Sequence, residues 1–230
     1  MARFKELCLD TSDPQSTIGG FWAAATGGRA EAQDPRYPAD VYGAEEYQGI
    51  AICPVPEAKT AKNRVHPDVY VRSVDDLVAL GATVDRPAEE TGFGWTTMFD
   101  PEGNEFCAFV RDELPAYRVH GIGVDCADPE PLAHWWAAAY GATVNDNDGR
   151  GFWSVEHATP DPLLTLDFAP VPEPRTVKNR MHWDVYGTVE EFTDRGATFL
   201  WEVPRGWTVL ADPEGNEFCV FPDPTPDLQA

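Results

Sequence analysis

The sequence predicts an α+β fold with mostly antiparallel sheet, laid down twice in tandem. Three observations carry this reading. The stretch DPEGNEFCAF, starting at Asp100, returns 112 positions later as DPEGNEFCVF, starting at Asp212, with nine letters of ten identical. PVPEAKTAKNRVHPDVY (54 to 70) returns as PVPEPRTVKNRMHWDVY (170 to 186), with 12 letters of 17 identical. Short alternating segments interleave with short amphipathic segments that stop in glycine, the pattern of strands and capped helices.

The elements follow in the same order in both copies. KELCLD and GIGVDC read as strands. TIGGFWAAATGG and PEPLAHWWAAAYGA read as helices ended by glycine, with Trp22 and Trp136 on their core faces. EEYQGIAIC in copy one, and GFWSVEH and LLTLDFA in copy two, complete a first βαβββ unit. HPDVYV and HWDVYG open the second unit as strands, and SVDDLVALGA and TVEEFTDRGA are its helices. WTTMFD and WTVLAD then run into a PEGN turn, and EFCAFV and EFCVFP leave it, as antiparallel strands joined by a tight turn do. Each copy is two βαβββ units. The predicted boundaries are 1–112 for domain 1, 113–119 for a polar connector and 120–230 for domain 2.

Composition narrows the function. The 230 residues are 43% hydrophobic and 12% aromatic, enough for a buried core. A net charge of −22 repels nucleic acid and anionic membranes. No apolar run approaches the roughly 20 residues of a membrane span, and MARFKELCLD lacks a signal-type apolar segment. A soluble cytoplasmic protein with neither nucleic acid nor membrane as partner is expected. Cys8, Cys53, Cys107, Cys126 and Cys219 are odd in number with no CxxC pair, so free thiols are expected.

His66, Asp68 and Tyr70 alternate along one predicted strand, as do His182, Asp184 and Tyr186, so each trio shares a face. His66, Asp68, His182 and Asp184 are candidates for general acid–base work, or form a hydrogen-bonded polar patch. Lys59, Lys62, Arg64, Arg175, Lys178 and Arg180 lead into these strands. They gather an anionic ligand, or pair with local carboxylates.

The helix ending FWAAATGG or WWAAAYGA, KNRxHxDxY, GAT and the closing DPEGNEFC, in one order in both copies, together resemble the glyoxalase/bleomycin-resistance/dioxygenase superfamily, also called vicinal oxygen chelate. The resemblance spans essentially the whole chain. It implies that two βαβββ units wrap into an open cup whose concave face holds the site. In metal-dependent members, residues of the first, fourth, fifth and eighth strands bind one divalent ion, usually through two His and two Glu or Gln. The ion then takes two substrate oxygens. Carried over, the fifth-strand His falls on His66 and His182, and the eighth-strand Glu on Cys107 and Cys219, with Glu105 and Glu217 two residues earlier on the same face. The fourth-strand ligand falls near Cys53 and Ala169, and the first near Glu6 and Gly121. His120, one residue out of register, points the other way.

This departs from the metal-dependent pattern, so no cofactor is expected. A divalent ion in domain 1 is the alternative, of a softer kind such as zinc, on Cys53, His66 and Cys107. His66 beside Cys107 either activates the thiol or packs against it. The resemblance makes Trp95 and Trp207 pocket walls and places Cys107 and Cys219 at the site, while strand alternation adds Tyr70 and Tyr186, and the basic stretches Arg64 and Arg180, as further ligand contacts. The expected function is one cup per copy binding an organic small molecule, anionic if the basic stretches reach it, as in sequestering a drug or toxin. An enzyme of lyase or isomerase type is one alternative, and an interaction module with one degenerate domain another. The expected assembly is a monomer or a homodimer.

Overall fold

The computed structural model describes residues 1–204 and 206–224; the remaining end of predicted domain 2, 225–230, lies outside the described residues. Four units follow one another. The first is β1 (Arg3–Thr11), α1 (Ile18–Thr26), β2 (Arg29–Glu31), β3 (Asp40–Tyr42) and β4 (Ile50–Pro54). The second is β5 (Val65–Val71), α2 (Val74–Ala79), β6 (Thr83–Arg86), the short α3 (Ala88–Thr91), β7 (Thr96–Phe99) and β8 (Glu105–Val110). The third is β9 (Val119–Cys126), α4 (Pro129–Tyr140), β10 (Thr143–Asn145), β11 (Trp153–Glu156) and β12 (Thr165–Pro170). The fourth is β13 (Met181–Tyr186), α5 (Val189–Thr193), β14 (Thr198–Glu202), β15 (Thr208–Ala211) and β16 (Glu217–Phe221). Both long helices end at a left-handed glycine, Gly27 and Gly141, as their sequences predict.

The units combine into two eight-stranded sheets, and the combination is not one copy per sheet. The first sheet runs β14-β15-β16-β13-β1-β4-β3-β2 and joins the first and fourth units. The second runs β10-β11-β12-β9-β5-β8-β7-β6 and joins the second and third. Each cup is still two βαβββ units, but they come from different copies, which corrects the expectation of one cup per copy. We call these the terminal cup and the central cup. Strand alternation sorts their faces: Leu7 and Leu9 of β1 are buried in the core, while Glu6, Cys8 and Asp10 lie on the opposite, concave face. The convex faces and the helices form one core shared by both sheets. Trp22 of α1 meets Phe106 of β8 edge-on at 5.3 Å, and Trp136 of α4 meets Phe218 of β16 at 4.9 Å.

The repeated motifs are the ties of this arrangement. Asp100 accepts the backbone N–H groups of Glu102 and Asn104, the Asn104 side-chain amide and the Trp22 indole N–H at 3.1 Å. Asp212 does the same with Glu214, Asn216 and Trp136. Glu102 accepts from Thr11 and Ser16, and Glu214 from the N–H groups of Ala127 and Asp128. DPEGN is therefore kept twice because it pins each closing turn to elements of another unit. The segments crossing between sheets hold each other. Arg64 donates to the carbonyls of Glu173 (2.6 Å) and Pro174 (2.9 Å), and Arg180 to those of Glu57 (2.5 Å) and Asp10 (2.9 Å).

Candidate functional site: the cavity of the central cup

A cavity of about 510 Å³ opens on the concave face of the central sheet. That is ample for a small organic molecule. Its walls are aromatic: Phe93 stacks on Trp95 with 4.7 Å between ring centres, Phe109 lies 5.4 Å from Trp95, and Phe152 adds a ring from the third unit. The floor is polar. His66 and Asp68 come from β5, Cys107 from β8 and Asp167 from β12. Cys107 stands opposite Asp68 in the parallel β5–β8 register. His66, Asp68 and Cys107 each offer a ligand atom, and these atoms lie within 4.8 Å of one another.

Glycine makes room for this floor. Gly123 of β9 faces His66, and a Cβ there would sit 2.2 Å from the imidazole Cε1. Gly121 faces Asp68, and a Cβ there would come within 3.0 Å of Asp167 Oδ2. The GIG of GIGVDC, unfavourable in a strand interior, is the sequence mark of this close approach.

The protonation states follow from burial and neighbours. Burial alone lowers the His66 pKa, but Cys107 and Asp68 outweigh it and hold the imidazole well above its ordinary value. Burial also raises the Cys107 thiol, so at neutral pH the effective partner is Asp68, 3.0 Å from His66 Nδ1. Asp167 is pushed up to about 6 by burial, against hydrogen bonds from Ser154 (2.5 Å) and Thr165 (2.8 Å). His66 Nδ1 and Asp68 Oδ1 lack a well-aligned hydrogen bond although both are buried. Such groups are costly unless a ligand uses them.

His120 corrects an expectation. The β5–β9 register slips between Asp68 and Val69, and this bulge turns His120 into the cavity. Tyr70 stacks on it at 3.8 Å between ring centres, and burial lowers its pKa to about 4. Asp167 is a polar floor residue that the sequence reading did not single out. Its signal was an aspartate inside the strand LLTLDFA, two residues before Ala169 and therefore on the same face.

Lys62 and Glu105 also border the cavity, each in an ion pair, and the remaining predicted residues lie elsewhere. Arg64 and Arg180 hold the crossing segments. Lys62 and Lys178 pair with Asp125 and Asp10, and Lys59 and Arg175 with Glu105 and Glu217. Glu105 and Glu217 also accept the backbone N–H of Asn63 and Asn179. Cys53 lies on β4 in the terminal cup, so it cannot join His66 and Cys107; the three-residue zinc set of domain 1 is corrected on this point.

The terminal cup gathers His182, Asp184 and Cys219, all buried, with Cys219 Sγ 3.3 Å from His182 Nε2. His182 and Asp184 approach to 3.5 Å without forming an ion pair. Burial drives the imidazole down to about 3 and the carboxyl up to about 7, so near pH 7 the imidazole is neutral and the carboxyl about half protonated. Lys5 pairs with Glu6 and sits over the Phe221 ring at 4.7 Å. Tyr186 donates to Glu46. Trp207 stacks on Phe221 and lines a separate surface depression with Met1 and Glu191.

The profile of the glyoxalase-like domain matches residues 6–109 and, a second time, 121–221. The chain belongs to the glyoxalase-like domain family. Among solved structures, this glyoxalase-like protein is similar to glyoxalase I from Zea mays, with a TM-score of 0.69 and 13% identity over 96% of this chain and 92% of that one. It is also similar to a candidate dioxygenase from Bacillus subtilis, with a TM-score of 0.65 and 16% identity over 97% and 86%. At such identities the likeness is one of fold. No curated protein matches the sequence significantly.

The family's usual set of two His and two Glu or Gln is not present at the matching positions of the central cup. Gly121 stands at the first-strand position and Cys107 at the eighth, while the bulge brings His120 into the cavity from the first strand, and both Asp167 oxygens are engaged by hydroxyls. Among the described residues no helix is long and apolar enough to cross a membrane.

Proposed function

We propose that this glyoxalase-like protein binds a small organic molecule in the central cup, with an aromatic or apolar body and a hydrogen-bond-donating or cationic group. The observation that carries this is one cavity with aromatic walls, Phe93, Trp95 and Phe109, above a floor holding His66, Asp68 and Asp167. Protonated His66 faces Asp68, whose buried Oδ1 has no aligned hydrogen bond and is left to a donor from the ligand, because the nearby cations Lys62, Lys59 and Arg86 already pair with Asp125, Glu105 and Asp85. Apolar walls supply affinity by burial, and the few convergent polar groups set orientation. Binding without turnover would serve sequestration.

A second reading is an acid–base enzyme, favoured by the Asp167 carboxyl near 6 beside a raised His66. The test is tryptophan-fluorescence and thermal-shift titration with matched planar aromatic amines and carboxylic acids. Saturable binding of amines is expected, weakened at least about tenfold in Trp95→Ala and in Asp68→Asn, and unaffected in Trp207→Ala. Preference for the acids would overturn the assigned charge. Equal sensitivity to Trp207→Ala would overturn the assigned cavity. Conversion of a bound amine, abolished in Asp167→Asn, would favour the enzyme.

A further inference from the structure

We propose that Cys8 and Cys53 are a redox modification site, a thiol pair of the terminal cup that hydrogen peroxide converts to a reversible disulfide. This goes beyond the small-molecule reading, which concerns the other cup. Cys8 lies on β1 and Cys53 on β4, the first and last strands of the first unit. In the parallel β1–β4 register Cys8 stands opposite Ala51 and Cys53 opposite Asp10, so the thiols share one face on a diagonal two residues long. Their side chains lean together across it and bring the sulfurs to 3.0 Å. A disulfide bond is about 2.05 Å long, so a closure of about 1 Å joins them.

The other thiols are engaged differently. Cys107 and Cys219 face the histidines of their cups, and Cys126 donates to the Ala169 carbonyl at 3.5 Å. The third unit has no such pair, since Gly123 and Ala169 take the places of Cys8 and Cys53 by register. The pair therefore belongs to the first unit and is not a by-product of the duplication. Exposure divides the roles. Cys8 is 3% exposed and keeps its proton, because its hydrogen bond with Cys53 and its burial raise its pKa. Cys53 is only half-buried and is the thiol that peroxide reaches first. It gives its proton to solvent, its sulfur takes one peroxide oxygen, and the O–O bond breaks; hydroxide leaves, becomes water, and Cys53 is a sulfenic acid. The Cys8 sulfur then attacks the Cys53 sulfur, the S–O bond breaks, and the Cys8 proton departs with the hydroxyl as a second water. Two thiols lose two electrons, and the peroxide bond accepts them. The new bond joins residues 45 apart in sequence around α1, β2 and β3, which restricts the unfolded chain and stabilises the first unit.

The test uses the full chain, reduced with a phosphine, freed of it and titrated with hydrogen peroxide. Expected are a fall from five free thiols to three, a cross-link between the Cys8 and Cys53 peptides by mass spectrometry, and a higher urea midpoint, all reversed by phosphine. Cys8→Ser should accumulate a sulfenic acid on Cys53 that a dimedone probe traps. Cys107→Ser and Cys219→Ser should still form the cross-link. Near-UV circular dichroism identifies variants that retain the fold. Five thiols still free after a peroxide dose that oxidises a free cysteine peptide would overturn the proposal. So would a cross-link through Cys219 in place of either partner, one between two chains, or one that survives in a folded Cys8→Ser variant.

Discussion

Replacing Asp167 with asparagine should stabilise the protein at neutral pH, and the gain should vanish in acid. In the folded chain this carboxyl is pushed up to about 6 by burial, from an ordinary 3.8. The folded state therefore holds the proton more tightly than the unfolded state does. Stability carried by the protonated form is complete below about pH 4 and is lost as pH rises through about 6. Two pKa units at 1.36 kcal/mol each give about 3 kcal/mol of destabilisation at pH 8. Asp167 borders the cavity, so water there screens it and the figure is an upper bound; about 1–3 kcal/mol is expected. Asparagine keeps an acceptor for Ser154, 2.5 Å away, and presents its amide to the Thr165 hydroxyl at 2.8 Å. The assay is urea denaturation followed by tryptophan fluorescence from pH 4 to pH 8, on both proteins. Asp184, raised to about 7 in the other cup, adds its own pH dependence to both and cancels in the difference. A difference that does not grow between about pH 4 and pH 7, or a parent protein more stable at pH 8, would refute the reasoning.

Two further substitutions probe the frame of the site. Gly123→Ala puts a methyl 2.2 Å from the His66 ring, so His66 must leave the floor; a cost of about 1–3 kcal/mol and loss of amine binding are expected by denaturation and fluorescence titration. Unchanged binding would show that His66 does not orient the ligand. Asp100→Ala orphans the N–H groups of Glu102 and Asn104 and the Trp22 indole, all at a buried turn. It should lower stability by about 3 kcal/mol or more in urea. A loss below about 1 kcal/mol would mean that the turn does not depend on its aspartate.

Much of the site can be read from sequence. The HxDxY alternation places His66 and Asp68 on one face, and the strand after the DPEGN turn brings Cys107 beside them, as the register shows. Trp95 stands on the cavity wall. Of the walls, Phe93 carries no repeated motif to mark it and Phe109 is only the last letter of DPEGNEFCAF, and two polar residues escaped for physical reasons. His120 turns inward through a β-bulge, and a bulge inverts the alternation rule that aimed it outward. Asp167 sits where the resemblance implies no charged residue, and only its proximity to His66 and Asp68 makes it part of the floor. The basic residues are the opposite case. Their clustering is visible, but their destinations, carbonyls and carboxylates on the crossing segments, depend on where those segments run.

The sequence by itself determined the duplication, the βαβββ grammar of each unit, the glycine helix ends and the family. These are local or repeated signals, set by side-chain period and turn chemistry. Only the tertiary structure decided which units share a sheet. β5 and β13 carry nearly the same residues, so β1 meets the same alternation and the same hydrogen-bonding edge in either partner. Local pairing preference is therefore degenerate. The choice falls to the crossing segments, locked reciprocally by Arg64 and Arg180, and to a core that both sheets share. That choice gathers three cysteines with His182 in one cup and leaves the other open over two glycines.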